Sequence, residues 1–174
     1  GASKIAQEAL VRAYHHSFGL PVTVLRSSTI IGEGMRRTQV IPIFLSQALR
    51  GDPLTIHGDG NQTRDFNWVD NHIEAMVTAL TSPRAKGQTI NVGSGEERTV
   101  ASIADECILA TASSSTRSFL SQRPGEQGLR VVLDITRARE LLGYQPRVSF
   151  LDGLDRMVTW LTKELGLKRE HVYR

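Results

Sequence analysis

Cysteine is nearly absent from this chain. Cys107 stands alone, which excludes an intramolecular disulfide and any zinc site built from several thiolates. It lies within the helical pattern SIADECILA and reads as a small buried hydrophobe. Aromatic residues make up only 6% of the sequence. The 21 Lys and Arg are dispersed against 18 Asp and Glu, for a formal charge of +3. No basic stripe with interleaved aromatics results, so nucleic acid is not an expected partner. A few well-placed arginines suit an anionic small ligand instead. No run approaches about 18 consecutive apolar residues, so a membrane span is not expected. The opening residues lack a basic segment followed by an apolar core, as a secretory signal would have. A cytoplasmic location is therefore the default expectation. The five histidines are scattered, and His15 and His16 are adjacent on a helical pattern and point apart. No H-E-x-x-H or similar ligand spacing occurs, so a metal site is not expected.

What is present is ordinary globular material, with 40% hydrophobic and 22% charged residues. Residues 3 to 18 set Ile5, Ala9, Val11, Ala13 and Phe18 among polar positions, an amphipathic helix stopped by Gly19 and Pro21. The β-branched run PVTVLRSSTIIG then predicts a parallel strand buried on both faces. GEGMRRTQ is a loop, and VIPIFLSQALRG a helix with Leu45, Ala48 and Leu49 apolar and Gly51 as its stop. DPLTIHGDGNQTRDFNWVD reads as two short strands around a turn made permissive by Gly58 and Gly60. Asp70 is the predicted N-cap of a helix with Ile73, Met76, Val77 and Leu80 on one face. GQTINVGSG reads as strand then loop, and Thr99 opens the helix VASIADECILA. A short strand is expected at SFLSQ, a capped helix at DITRARELLGYQP and a closing amphipathic helix at SFLDGLDRMVTWLTKELG. Alternating strands and helices define the class as α/β.

Three Gly-x-Gly triplets occur, but none completes the dinucleotide pattern G-x-G-x-x-G. The sixth positions are Arg37, Thr63 and Arg98. The triplet Gly93–Gly95 follows a strand and precedes a helix, as a phosphate cradle should. No acidic residue lies about 20 positions later, and a turn is the better reading.

Four segments remain: Gly1-Ala2-Ser3-Lys4 with Glu8, then PLTIHGDGNQTRDFNWVDN, then INVGSGEERTV, then RPGEQ with RARELLGYQP. With these the chain resembles the NAD-dependent epimerase/dehydratases of nucleotide sugars, a group of extended short-chain dehydrogenase/reductases. Its catalytic motif Y-x-x-x-K often extends as Y-x-x-S-K-x-x-x-E. Ser3, Lys4 and Glu8 match everything after the tyrosine, which would fall one position before Gly1. The resemblance therefore implies the C-terminal part of a Rossmann-like enzyme: late parallel strands plus the small α/β substrate-binding domain. Residues 1–35 would end the dinucleotide-binding domain. Residues 36–174 would be mainly the nucleotide-sugar-binding part, with some segments returning to the Rossmann sheet.

The resemblance further implies NAD as cofactor, in preference to NADP, and hydride transfer at the ring of a UDP- or dTDP-sugar. The outcome would be that of an isomerase or a lyase, as in UDP-glucose 4-epimerase and its relatives. Lys4 would be the catalytic ammonium, lowering the pKa of the tyrosine hydroxyl and bonding the nicotinamide ribose. Ser27 and Ser28 would pass the nicotinamide. Thr29, His57, Arg64 and Arg123 would bind substrate, with the two guanidinium groups on the diphosphate and the His57 ring stacked on the base. Gln39 and Gln62 are weaker polar candidates, while Asp65 and Asp70 are expected to organise the hairpin and cap the helix. Where the family often has R-x-x-N-x-Y-G-P, this chain reads RSSTIIGEG, so Thr29, Ile31 and Glu33 replace Asn, Tyr and Pro. A homodimer through the helix carrying Lys4 is also implied. The 174 residues by themselves are expected to show no turnover. The alternative function is a non-catalytic binding or interaction protein that keeps the fold without the tyrosine and the Gly-rich loop.

Overall fold

A computed structural model of the chain describes residues 1–125 and 128–167; Glu126 and Gln127 of the RPGEQ segment lie outside these. Helix α1 (Ala2–Phe18) ends at Gly19, whose left-handed backbone (φ 66) closes the last turn. The amphipathic reading finds the helix but not its environment, since no residue of α1 is buried. The run after Pro21 is not one strand. It divides at Ser28 into β1 (Val24–Ser27) and β2 (Thr29–Ile31). The Ser28 N–H donates to the Val92 carbonyl while the next N–H, of Thr29, donates to that of Asp65, so adjacent residues serve different partners. β1 pairs in parallel with β6 (Thr89–Val92), and β2 pairs in parallel with β5 (Phe66–Trp68). Arg26 and Ser27 of β1 are exposed, which corrects the expectation of burial on both faces.

The stretch from 52 to 70 contains the expected strands, but they do not form a hairpin. β3 (Leu54–His57) pairs in parallel with β8 (Arg117–Leu120). β4 (Thr63–Arg64) pairs antiparallel with β7 (Arg98–Thr99). The turn between β3 and β4 uses Gly58 and Gly60 at φ 78 and 77. It rests on the start of α4 (Val100–Ala110), where the Ala101 N–H donates to the Gly60 carbonyl and that of Val100 to Gln62. A Cβ on Gly60 would stand 3.0 Å from that of Ala101, so close approach as well as backbone conformation favours glycine here.

Helix α3 (Val69–Thr81) begins one residue earlier than Asp70, which is inside its first turn and not its N-cap. Asp70 instead accepts from Trp68 Nε1 and pairs with Arg156, both at 3.1 Å. The buried face of α3 carries Asn71, Ala75 and Ala79, while Ile73, Met76, Val77 and Leu80 are exposed. The small alanines let α3 lie close to its neighbours, and this reverses the face expected from hydrophobicity. Thr99 caps α4 as expected, its hydroxyl accepting from the Ser102 N–H. Two cores result. The larger gathers Phe44 and Leu45 of α2 (Val40–Arg50), Ile56 of β3, Trp68, Cys107 and Leu154 of α6 (Phe150–Glu164). The smaller joins Ala75 and Ala79 to Ile90, Val92 and Ala138, the last from α5 (Thr136–Leu142). Among the described residues no helix is long and apolar enough to cross a membrane.

Candidate functional site

The ends of β3 and β4, the N-terminal turns of α2 and the stretch after β8 enclose a cavity of about 140 Å³. Val40, Ile43, Phe44 and Val100 form its apolar wall; His57, Gln62, Arg64 and Arg123 supply the polar one. Among the described residues no Asp or Glu lines it, and the two guanidinium groups give their side of it a field that favours an anion. β3 brings His57 to the rim, where ring Nδ1 donates to the Ser121 carbonyl at 3.1 Å. A carbonyl only accepts, so that nitrogen carries a proton. Arg64 is half-buried at the end of β4 and donates one N–H to the Thr63 carbonyl at 2.9 Å. Among the described residues neither Arg64 nor Arg123 has a carboxylate within 4.0 Å, although eight other arginines do.

Gln62 is more than the weak polar candidate its sequence position indicates. It is 7% exposed, and its Nε2 donates to the His57 carbonyl at 2.7 Å. Its Oε1 is buried and has no partner among the described residues.

The other expected site residues lie outside this cavity. Ser27 ends β1, Ser28 follows it and Thr29 begins β2, at the carboxyl edge of the β1–β6 pair, where open α/β sheets bind ligands. Ser27 Oγ lies 3.3 Å from His72 Nε2, and burial holds the His72 pKa below its usual value, favouring the neutral ring. Ser28 Oγ is buried with no partner among the described residues, and a Cβ on Gly93 would come within 3.1 Å of it. Thr29 is half-buried beside them. Lys4 is exposed on the first turn of α1. Glu8, one turn on, does not serve it but takes two hydrogen bonds from Arg26, at 2.8 and 3.0 Å, fastening α1 to β1.

The Gly93–Gly95 loop proves to be a filled cradle. Asp65, fully buried, accepts from the Ser94 N–H and hydroxyl, the Gly95 N–H and the Leu133 N–H, at 2.7 to 3.3 Å. The loop is thus occupied by a carboxylate of its own chain, and Asp65 joins three segments where a hairpin role was expected. Asn71 was also missed: it donates to the Val148 carbonyl and accepts from the Arg147 and Val148 N–H groups. Both stand among polar neighbours in the sequence, Asp65 after Arg64 and Asn71 between Asp70 and His72, so no local signal marks either as buried.

The fold is thus an α/β chain with parallel strand pairs, a cavity lined by two arginines with no carboxylate among the described residues, and a sheet edge bearing hydroxyls. Comparison with known proteins narrows this class. The family model described as "NAD dependent epimerase/dehydratase family" matches residues 1–93. The chain is 34% identical over 169 residues to a dTDP-glucose 4,6-dehydratase of Xanthomonas campestris, covering 91% of this chain and 48% of that one. Among solved structures, UDP-glucose 4-epimerase from Thermotoga maritima, crystallised with UDP-glucose, superposes with a TM-score of 0.88 at 29% identity, covering 95% of this chain and 53% of that one. UDP-glucuronic acid 4-epimerase from Bacillus cereus, in complex with UDP-glucuronic acid and NAD, gives 0.85 at 34% identity over 94% and 52%. The chain belongs to the NAD-dependent epimerase/dehydratase family, and the fold class expected from the sequence is borne out. It spans about half the length of the curated relatives it matches.

Proposed function

We propose that this chain forms the nucleotide-sugar-binding half of an NAD-dependent epimerase/dehydratase acting on a UDP- or dTDP-sugar. One observation carries the reading: His57, Arg64 and Arg123 share a cavity in which, among the described residues, neither guanidinium group has a carboxylate partner. Two cations suit the two charges of a diphosphate, and the flat His57 ring suits a base. The names of relatives agree, since they include a dTDP-glucose dehydratase and epimerases crystallised with UDP-sugars. NAD, when bound, supplies the hydride acceptor. The buried Ser28 hydroxyl at the carboxyl edge of β1, which has no partner among the described residues, fits a polar group approaching there, and Ser27 and Lys4 are assigned with it to the nicotinamide end. Lys4 would favour the ionised form of an adjacent hydroxyl by its charge.

The same proposal gives β1, β6 and their small core to the dinucleotide-binding part, with residues 1–35 as its end. The larger core around the cavity belongs to the substrate part within residues 36–174. It includes a homodimer through α1, supported by the exposed Ile5, Leu10 and Tyr14, and catalysis in the cytoplasm.

Calorimetric titration with UDP and dTDP tests the assignment. Arg64→Ala and Arg123→Ala should each weaken binding by about 1.5–3 kcal/mol, the worth of a hydrogen bond to a charged group. Unchanged affinity in both variants would remove the substrate assignment. A polypeptide of these 174 residues is expected to bind nucleotide without NAD-dependent sugar conversion, because none of its Gly-x-Gly triplets is a complete dinucleotide loop. Turnover by that purified polypeptide would contradict this.

A further inference from the structure

We infer that Gln62 selects the base of the bound nucleotide, its Oε1 accepting a hydrogen bond from the imide N–H of uracil or thymine. The inference rests on the cavity being a nucleoside diphosphate site, and it starts from an orientation that the structure fixes. The amide NH₂ donates to the His57 carbonyl at 2.7 Å. A carbonyl oxygen cannot donate in return, so the amide cannot be turned around, and the free end facing away from His57 is the oxygen. That oxygen is buried without a partner among the described residues, on a residue only 7% exposed that lines the cavity. A buried acceptor left unpaired is unfavourable, and a ligand donor relieves it.

The position of the amide says which part of a ligand it meets. It is held by the main chain of His57, and the His57 ring borders the same cavity. A planar group lying on that ring therefore presents an edge to Gln62 Oε1, while Arg64 and Arg123 take the phosphates. Uracil and thymine carry an N3–H donor on their edge; cytosine carries a lone pair on N3. Two acceptors facing each other repel, so the pocket accepts the imide bases and rejects cytosine. A site that hydrogen-bonds a ligand group discriminates strongly against the analogue lacking it, because its own buried group is then unpaired.

Titration of the chain with UDP, dTDP, CDP and 3-methyluridine diphosphate reads this directly. UDP and dTDP should bind at least tenfold more tightly than CDP, and 3-methylation of UDP should remove that advantage. In Gln62→Met the ratio of UDP to CDP affinity should fall towards one, chiefly through loss of UDP binding. The ratio is the readout because the variant also releases the His57 carbonyl, which acts on both ligands alike. The ligand-side comparison stands even if that variant does not fold. Equal binding of UDP and CDP, or undiminished binding of the 3-methyl compound, would overturn the base-selecting role and leave the nucleotide site intact. Binding of none of the four would overturn the nucleotide site and the inference with it.

Discussion

Glu97 illustrates how a single side chain couples this fold to pH. Its carboxylate takes two hydrogen bonds from Arg130, at 2.7 and 2.6 Å, and one from the Thr63 hydroxyl at 2.7 Å. The Arg130 bonds first and the Thr63 bond second hold its pKa at about 2, below the ordinary 4.5. A carboxylate whose pKa is depressed by folding binds protons more readily in the unfolded chain. Its contribution to stability is therefore complete above about pH 4.5 and is lost as pH falls towards about 2. Denaturant titrations of the wild type and Glu97→Gln across that range should show the wild-type advantage shrinking with acidification. An advantage independent of pH would contradict the coupling. At this scale the sequence is informative about charged side chains in recognisable motifs: the motifs mark His57, Arg64 and Arg123, and one cavity unites them. Gln62 and Asp65 were undervalued because their roles depend on main-chain groups at His57, Ser94, Gly95 and Leu133. Those become neighbours only once the chain is folded.

At the scale of elements, α6 meets the larger core through an absence. Gly153 lies in the helix interior, where glycine costs about 1 kcal/mol relative to alanine. Yet a Cβ there would stand 2.5 Å from Trp68 Cε3. The indole has little freedom to yield, being 2% exposed, bonded to Asp70 and overlain by the Arg156 guanidinium. Gly153→Ala thus sets a gain in helix propensity against overpacking of about 1–3 kcal/mol. The contact is with a rigid ring, so the clash should win. A lowered urea midpoint with unchanged m-value is the expected result; a stabilised variant would mean that α6 and Trp68 can separate at little cost. The existence of α2, α4, α5 and α6 was legible because caps and apolar periodicity are local signals. Strand pairing was not: Val24 pairs with Thr89 and Leu54 with Arg117. No short-range turn chemistry marks a parallel partner so far along the chain. The face of α3 was misjudged for a related reason, because close packing on Ala75 and Ala79 outweighs the larger stripe opposite.

For the whole molecule, the unusual feature is where apolar surface remains exposed. Ile5 and Phe18 of α1 are 72% and 75% exposed, and Leu80 of α3 is 86% exposed, with Ile73, Met76 and Val77 beside it. Leu25, Met76 and Leu80 also border a cavity of about 510 Å³ between β1 and α3. Soluble monomers rarely leave so many large apolar side chains on neighbouring elements in water, and such patches drive association. A polypeptide of these 174 residues should therefore associate with rising concentration in sedimentation velocity. Val77→Lys with Leu80→Lys should shift it towards monomer by placing charge on the exposed face of α3. Neither side chain belongs to a buried cluster, so the melting temperature measured at low concentration should change little. A wild-type chain that stays monomeric at high concentration would show that the stripe is too dispersed to act as one patch. A double variant that associates as before would move the contact to α1, where Ile5, Leu10, Tyr14 and Phe18 remain available.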